Sequence, residues 1–235
     1  MERKRSFVIF AAWSICAFLG LGCARNPSTQ EQRTEAVESS TASASSQTPT
    51  NDRPAIVAFG DSLTAGVAGR SYPDDLQDLV DKAGYRYRVD NQGVSGDTTT
   101  DGLARVDNAV ALHPALVIVE FGGNDGLRGV PVESTRSNLE EIIQRLKQAN
   151  IPLVLLGITL PPNYGADYVK SFTAMYPSLA KKYNLRFVPF LLINVYQHQE
   201  LMQPDGIHPN GEGNKIIAED VFKLIEPLLD RSSAK

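Results

Sequence analysis

Short apolar runs at residues 55–59, 115–121 and 152–158 stand out from an otherwise mixed chain, and each leads into or contains glycine. Runs of this length with little polar alternation predict strands covered on both faces. Between them, apolar positions return at intervals of three and four. One series is Leu76, Leu79, Val80 and Ala83, stopped by Gly84; another is Leu103, Val106 and Val110; a third is Leu139, Ile142, Ile143 and Leu146. Each predicts an amphipathic helix. Shorter strands at 87–90 and 186–190, with helices at 169–179 and 217–228, complete a regular alternation. The expected fold is α/β, with a five-stranded parallel sheet and helices on both sides. In such folds ligands bind outside the carboxyl ends of the strands.

The ends of the chain are different in character. Arg3, Lys4 and Arg5 precede an uncharged run from Ser6 to Gly22, the layout of a secretory signal over residues 1–22. The run ends in Leu19-Gly20-Leu21-Gly22-Cys23, which resembles the lipobox of bacterial lipoproteins, with Gly20 where a branched aliphatic residue is usual. Cys23 is therefore the candidate lipidation site, the alternatives being a soluble protein's cleavage site near Cys23 or a run kept as an uncleaved anchor, and the expected location is the periplasm or cell envelope, lipid-anchored. Residues 23–53 are rich in Ser, Thr, Gln and Glu and poor in large apolar residues. They read as a disordered polar tether. Residues 54–230 have the mixed character of one domain, followed by a tail at 231–235.

Composition narrows the chemistry. Both of the 2 cysteines, Cys16 and Cys23, lie in the leader, so the domain relies on packing and not on disulfides. The formal net charge is −4, and loss of Arg3, Lys4 and Arg5 with the leader makes the remainder more acidic. No basic cluster marks a nucleic-acid surface. With only 3 histidines and no domain cysteine, no metal site is expected, and a monomer is expected.

Gly60-Asp61-Ser62-Leu63 follows the first predicted strand, and Asp205-Gly206-Ile207-His208-Pro209 lies in the loop before the last helix. A serine hydroxyl becomes nucleophilic when an imidazole takes its proton and a carboxylate holds the imidazole's tautomer. The base must be His113, His198 or His208, and His208 alone has an acid three residues away in a Gly/Pro-bounded loop. Ser62 could equally be a helix N-cap, and no Gly-x-Ser-x-Gly elbow surrounds it. Asn91-Gln92-Gly93-Val94-Ser95-Gly96 is either a plain connection, with Thr98 or Asp101 capping the next helix, or a loop whose Gly96 amide approaches substrate. Asn124, in Gly122-Gly123-Asn124-Asp125, is either a turn residue or a donor to a developing negative oxygen.

These blocks, in order, resemble the SGNH branch of the GDSL hydrolases: Ser62, Gly96, Asn124 and His208 match its serine, glycine, asparagine and histidine. Further matching segments are Gly60 to Gly66, Ser95 to Thr98, Gly122 to Gly129, Leu160 to Gly165 and Asp205 to Pro209. The likeness runs over residues 55–229 and is nearest to bacterial arylesterases, thioesterases and lysophospholipases. It implies a flavodoxin-like three-layer α/β/α sandwich and a Ser62–His208–Asp205 triad. It also implies an oxyanion hole from the Ser62 and Gly96 amides and the Asn124 side chain, with no cofactor. By the same likeness the loop at 125–130 lines an acyl groove. Leu127 and Val130 are therefore expected on one wall, Leu160 and Tyr164 on the other, and Asp61 and Ile207 beside the reacting centre. With no long insertion between the blocks, the groove is expected to lack a lid.

Three functions fit this pattern. The first is an exported serine ester hydrolase acting on a small-molecule ester or lipid. The second is a carbohydrate acetyl esterase of the same family. The third is a non-catalytic lipoprotein whose glycine loops hold a phosphate ligand, against which the missing Gly-x-x-x-x-Gly-Lys-Ser/Thr loop weighs.

Overall fold

The strands follow from the apolar runs, and their pairing aligns the loops that matter. In the computed structural model, which describes residues 52–67 and 69–231, β1 (Ala55–Gly60), β2 (Arg88–Gly93), β3 (Leu116–Glu120), β4 (Leu153–Leu156) and β5 (Arg186–Val188) form one parallel sheet in the order β2-β1-β3-β4-β5. β1, β3 and β4 are wholly buried, in keeping with their apolar sequences, Glu120 at the end of β3 excepted, while the edge strands β2 and β5 are only partly covered. The leader at 1–22, the candidate lipidation site Cys23, nearly all of the tether and residues 232–235 lie outside the described residues. Arg53, assigned to the tether, pairs with Asp81.

The helices are α1 (Ser62–Ala65), α2 (Tyr72–Lys82), α3 (Thr99–Ala111), α4 (Gly123–Leu127), α5 (Val132–Gln148), α6 (Ala166–Tyr183) and α7 (Gly211–Ile225). Local chemistry sets their ends. Ser71 and Asp74 form a capping box at the start of α2, and Thr98 and Asp101 form another at the start of α3, each satisfying amides that have no partner within the helix. α2 packs on α7, while α5 packs on both α3 and α6, so helices cover the two faces of the sheet as right-handed crossovers demand. Leu139, Ile142, Ile143 and Leu146 of α5 are buried without exposure, in agreement with their spacing.

Some boundaries differ from expectation. β2 runs on through Asn91, Gln92 and Gly93, which read as loop, because pairing with β1 continues to Gly60 opposite Gly93 and an edge strand tolerates polar side chains. β4 stops at Leu156, short of the expected residue 158, where Gly157 turns to bond Val188 and Leu191. α4 was not anticipated: Asn124 was read in a turn, but residues 123–127 are too few to show helical periodicity.

The register places Gly60 beside Gly93 on one side and beside Glu120 on the other, so three strand ends are level and their loops converge. Gly60 permits this closeness: a Cβ there would lie 2.1 Å from Thr64 Oγ1 and 2.6 Å from the Glu120 carbonyl oxygen. Gly60→Ala should therefore destabilise the fold by about 1–3 kcal/mol, the usual cost of overpacking. Thermal unfolding should show a Tm several degrees lower, and an unchanged Tm would mean that the strand ends have slack.

Candidate active site

β1 delivers Ser62 to the carboxyl edge of the sheet. Asp61, not Ser62, caps α1: its Oδ1 accepts the Leu63 amide at 3.0 Å. This leaves the Ser62 hydroxyl free of any capping duty, and its Oγ lies 2.9 Å from His208 Nε2. His208 belongs to the loop between β5 and α7. That loop is pinned by a bridge between Met202 and Pro209, by Gln203 Nε2 donating to the Pro209 carbonyl at 2.9 Å, and by Asn210 capping α7.

Asp205 performs two tasks. Its Oδ1 accepts the Ile207 and His208 amides, both at 3.0 Å, and its Oδ2 lies 2.7 Å from His208 Nδ1. Burial works against its charge, but bonds from the His208 ring and from the two amides prevail and hold the carboxyl below its ordinary range. An ionised carboxylate only accepts, so Nδ1 carries the imidazole proton and Nε2 is left to accept from the Ser62 hydroxyl. The other histidines are elsewhere: His198 pairs with Glu200 at 3.2 Å, and His113 ends the turn after α3.

Two further strand ends complete the floor. Gly96 has φ +88°, a conformation that suits glycine, and Arg128 Nη2 donates to its carbonyl at 3.0 Å. Asn124 Nδ2 donates to the Asp97 carbonyl at 2.9 Å and to Asp61 Oδ2 at 3.2 Å. Burial pushes the Asp61 carboxyl up to about 6, against the pull of the Leu63 amide, Glu120, the His208 ring and Asn124. Arg105 was missed in the sequence. Its guanidinium donates to the Gly60 and Gln92 carbonyls, each at 2.8 Å, and to Asp97 at 2.7 Å, while lying over the Phe59 ring. It ties the Ser62 turn to the Gly96 loop, and a lone arginine within a helix gave no pattern to find it by.

Ser62 and His208 open into a cleft of about 300 Å³. Asp61, Leu127, Leu160 and Ile207 line it, and so do Gly96 and Asn124. Val130 and Tyr164, expected on its walls, do not. The Tyr164 hydroxyl instead donates to the Leu127 carbonyl at 3.3 Å, and the Val130 carbonyl accepts the Tyr168 hydroxyl at 2.6 Å. Ile158, Phe190, Leu192, Tyr196 and Val67 line the cleft without having been anticipated. Apolar residues in strand-end loops look like ordinary core until the loops are assembled.

A doubly wound sheet of this order, with an alcohol, an imidazole and a carboxylate bonded in series at its carboxyl edge, has the architecture of a flavodoxin-like ester hydrolase. The chain belongs to the GDSL-like Lipase/Acylhydrolase family, whose sequence model matches residues 58–216. Thioesterase 1/protease 1/lysophospholipase L1 of Escherichia coli (strain K12) is 41% identical over 182 residues, covering 76% of this chain and 86% of that protein. The arylesterase of Vibrio mimicus is 40% identical over 170 residues, covering 71% of this chain and 85% of that one. Among solved structures, the crystal structure of TesA aligns with a TM-score of 0.71 at 38% identity, covering 74% of this chain and 99% of that chain. The protein is a carboxylic ester hydrolase.

Proposed function

We propose that the protein is an exported serine hydrolase that cleaves carboxylic esters and thioesters through an acyl-enzyme on Ser62. The observation that carries this reading is the bonded series Ser62 Oγ, His208 Nε2, His208 Nδ1, Asp205 Oδ2 at the mouth of an apolar cleft. Ser62 Oγ attacks the acyl carbon as Nε2 takes its proton. The bond to the leaving oxygen or sulfur then breaks, and that atom receives the proton from Nε2. Water attacks the acyl-serine, Nε2 takes the water's proton and returns it to Ser62 Oγ, and the carboxylic acid departs. Asp205 stabilises the imidazolium formed in each half.

The Ser62 and Gly96 amides and the Asn124 carboxamide receive the negative oxygen. Asn124 is held in place beforehand, and the longer of its two bonds, to Asp61, is the one it can share with that oxygen. Asn124→Ala should lower kcat by ~10²–10³, the usual cost of one oxyanion donor, with KM changed far less. Steady-state kinetics on an aryl ester would check this, and an unchanged kcat would remove Asn124 from the mechanism.

For the substrate we favour aryl esters, acyl thioesters and single-chain lipids. The aliphatic and aromatic lining supports an extended apolar group over an acetylated sugar, as do relatives named arylesterase, thioesterase and lysophospholipase. No helix among the described residues is long and apolar enough to cross a membrane. Attachment is assigned to a lipid on Cys23 on the likeness of Leu19 to Cys23 to a lipobox. A fluorophosphonate probe should label Ser62 stoichiometrically, with hydrolysis strongest on medium-chain aryl esters or acyl thioesters. Absence of the adduct, or activity confined to acetylated sugars, would overturn the assignment.

A further inference from the structure

Beneath Ser62 lie two carboxyl groups that the acyl-transfer scheme leaves unused. Glu120, the last residue of β3, has no solvent exposure, and Asp61 is 2% exposed. Glu120 Oε2 accepts the Asp61 amide at 3.2 Å and the Thr64 hydroxyl at 2.9 Å. It thus holds the cap and the third residue of α1, the helix on which Ser62 stands. Its carboxyl thus lies beside that of Asp61, whose own amide it holds, while Oε1 receives no donor from a described residue.

Two buried carboxylates this near each other repel, and both can only accept, so a proton held between them is what lets them stay together. The surroundings do not offer an alternative. Tyr72 from α2 and Tyr176 from α6 face the pair with phenols, and the Asp125 carboxylate from α4 is bonded instead to Thr99 and Thr135. The His208 ring approaches Asp61 from its loop. Arg105 from α3 is bonded to Gly60, Gln92 and Asp97. Burial raises both acids, Asp61 to about 6 and Glu120 well above its ordinary range, the latter also through the neighbouring Asp61 charge.

We propose that Glu120 is a positioning residue for the reaction at Ser62: as a neutral acid it clamps the start of α1 and gives Asp61 a hydrogen bond, fixing the carboxylate that orients Asn124. The pair then carries one negative charge under a site where a second negative charge develops on the substrate oxygen. Loss of the shared proton at alkaline pH doubles the buried charge, repels that oxygen and drives the two carboxylates apart. The inference rests on Ser62 as nucleophile and Asn124 as oxyanion donor.

The test compares the full chain with Glu120→Gln and Glu120→Leu, using kcat and KM on an aryl ester from about pH 6 to about pH 10. Glutamine can accept from the Asp61 amide and the Thr64 hydroxyl and still donate to Asp61. It should keep kcat within about threefold at neutral pH and lose the alkaline decline of the parent. Leucine should lower kcat by roughly 10–100-fold with little change in KM, since the cleft is untouched, and should slow fluorophosphonate labelling in parallel. A Gln variant as impaired as Leu, or one with the parent's alkaline profile, would overturn the proposal even if the Leu variant failed to fold. The same labelling separates this outcome from failure of the mechanism: a parent chain without an adduct on Ser62 overturns the nucleophile assignment itself.

Discussion

Ser62→Ala is expected to lower kcat on aryl esters by about 10⁴–10⁶-fold, the range seen when the nucleophile of a serine–histidine pair is removed. The oxyanion donors and the cleft survive the substitution, so the residual rate remains above that in water. The fold should be indifferent, because the cap of α1 is the Asp61 carboxylate and, among the described residues, the hydroxyl bonds His208 alone. The change therefore deletes chemistry without leaving a buried group unsatisfied. Turnover and thermal unfolding measured on the same preparation should separate by orders of magnitude against at most a degree or two. Activity within tenfold of the parent would show that the nucleophile lies elsewhere.

Asp205→Asn comes second, with an expected loss of about 10²–10⁴ in kcat. The carboxamide oxygen can still accept the Ile207 and His208 amides, so the turn is kept. What disappears is the charge facing Nδ1. The carboxamide can present N–H to the ring, which favours the tautomer with its proton on Nε2, the wrong one for accepting from Ser62. The effect should be smaller than for Ser62 because the Asp205 side chain is 41% exposed, and water can replace part of its bond to the ring. The sign with pH follows from the lowered carboxyl. A carboxylate whose folded value lies below its unfolded one contributes stability above the unfolded value and loses it as pH falls through the folded value. The difference in stability between parent and variant should thus be constant through neutrality and narrow only in acid, which unfolding at several pH values would reveal. A gap that widened in acid would contradict the bonding described.

Much of this was visible in the chain by itself. The periods of Leu76 to Ala83 and Leu139 to Leu146 identified helices because a helix repeats its inward face every three to four residues. The run from Ala55 to Phe59 identified a buried strand because a strand covered on both faces is apolar at every position. Ser62, Asn124 and His208 were conspicuous because together, in strand-end loops, they offer a hydroxyl, a carboxamide and an imidazole, although each alone also suits a cap or a turn. Arg105, Glu120, Phe190 and Tyr196 carried no such mark. An arginine on a helix and apolar residues in a loop are common, and Glu120 sat unremarked within the apolar run of β3. Val130 and Tyr164 were placed on the walls by family likeness, whereas in the fold the Val130 carbonyl bonds Tyr168 and the Tyr164 hydroxyl bonds the Leu127 carbonyl.

The sequence by itself determined the order and kind of the five strands and the longer helices and supplied the candidate reactive groups, since propensity, capping and amphipathic spacing act over a few residues. Only the tertiary structure decided that Gly60, Gly93 and Glu120 share one level, that His208 meets Ser62 at 2.9 Å across 146 positions, and that Asp61 and Glu120 touch. Strand register and the facing of distant loops arise from packing between segments remote in the chain, where no local pattern records the outcome.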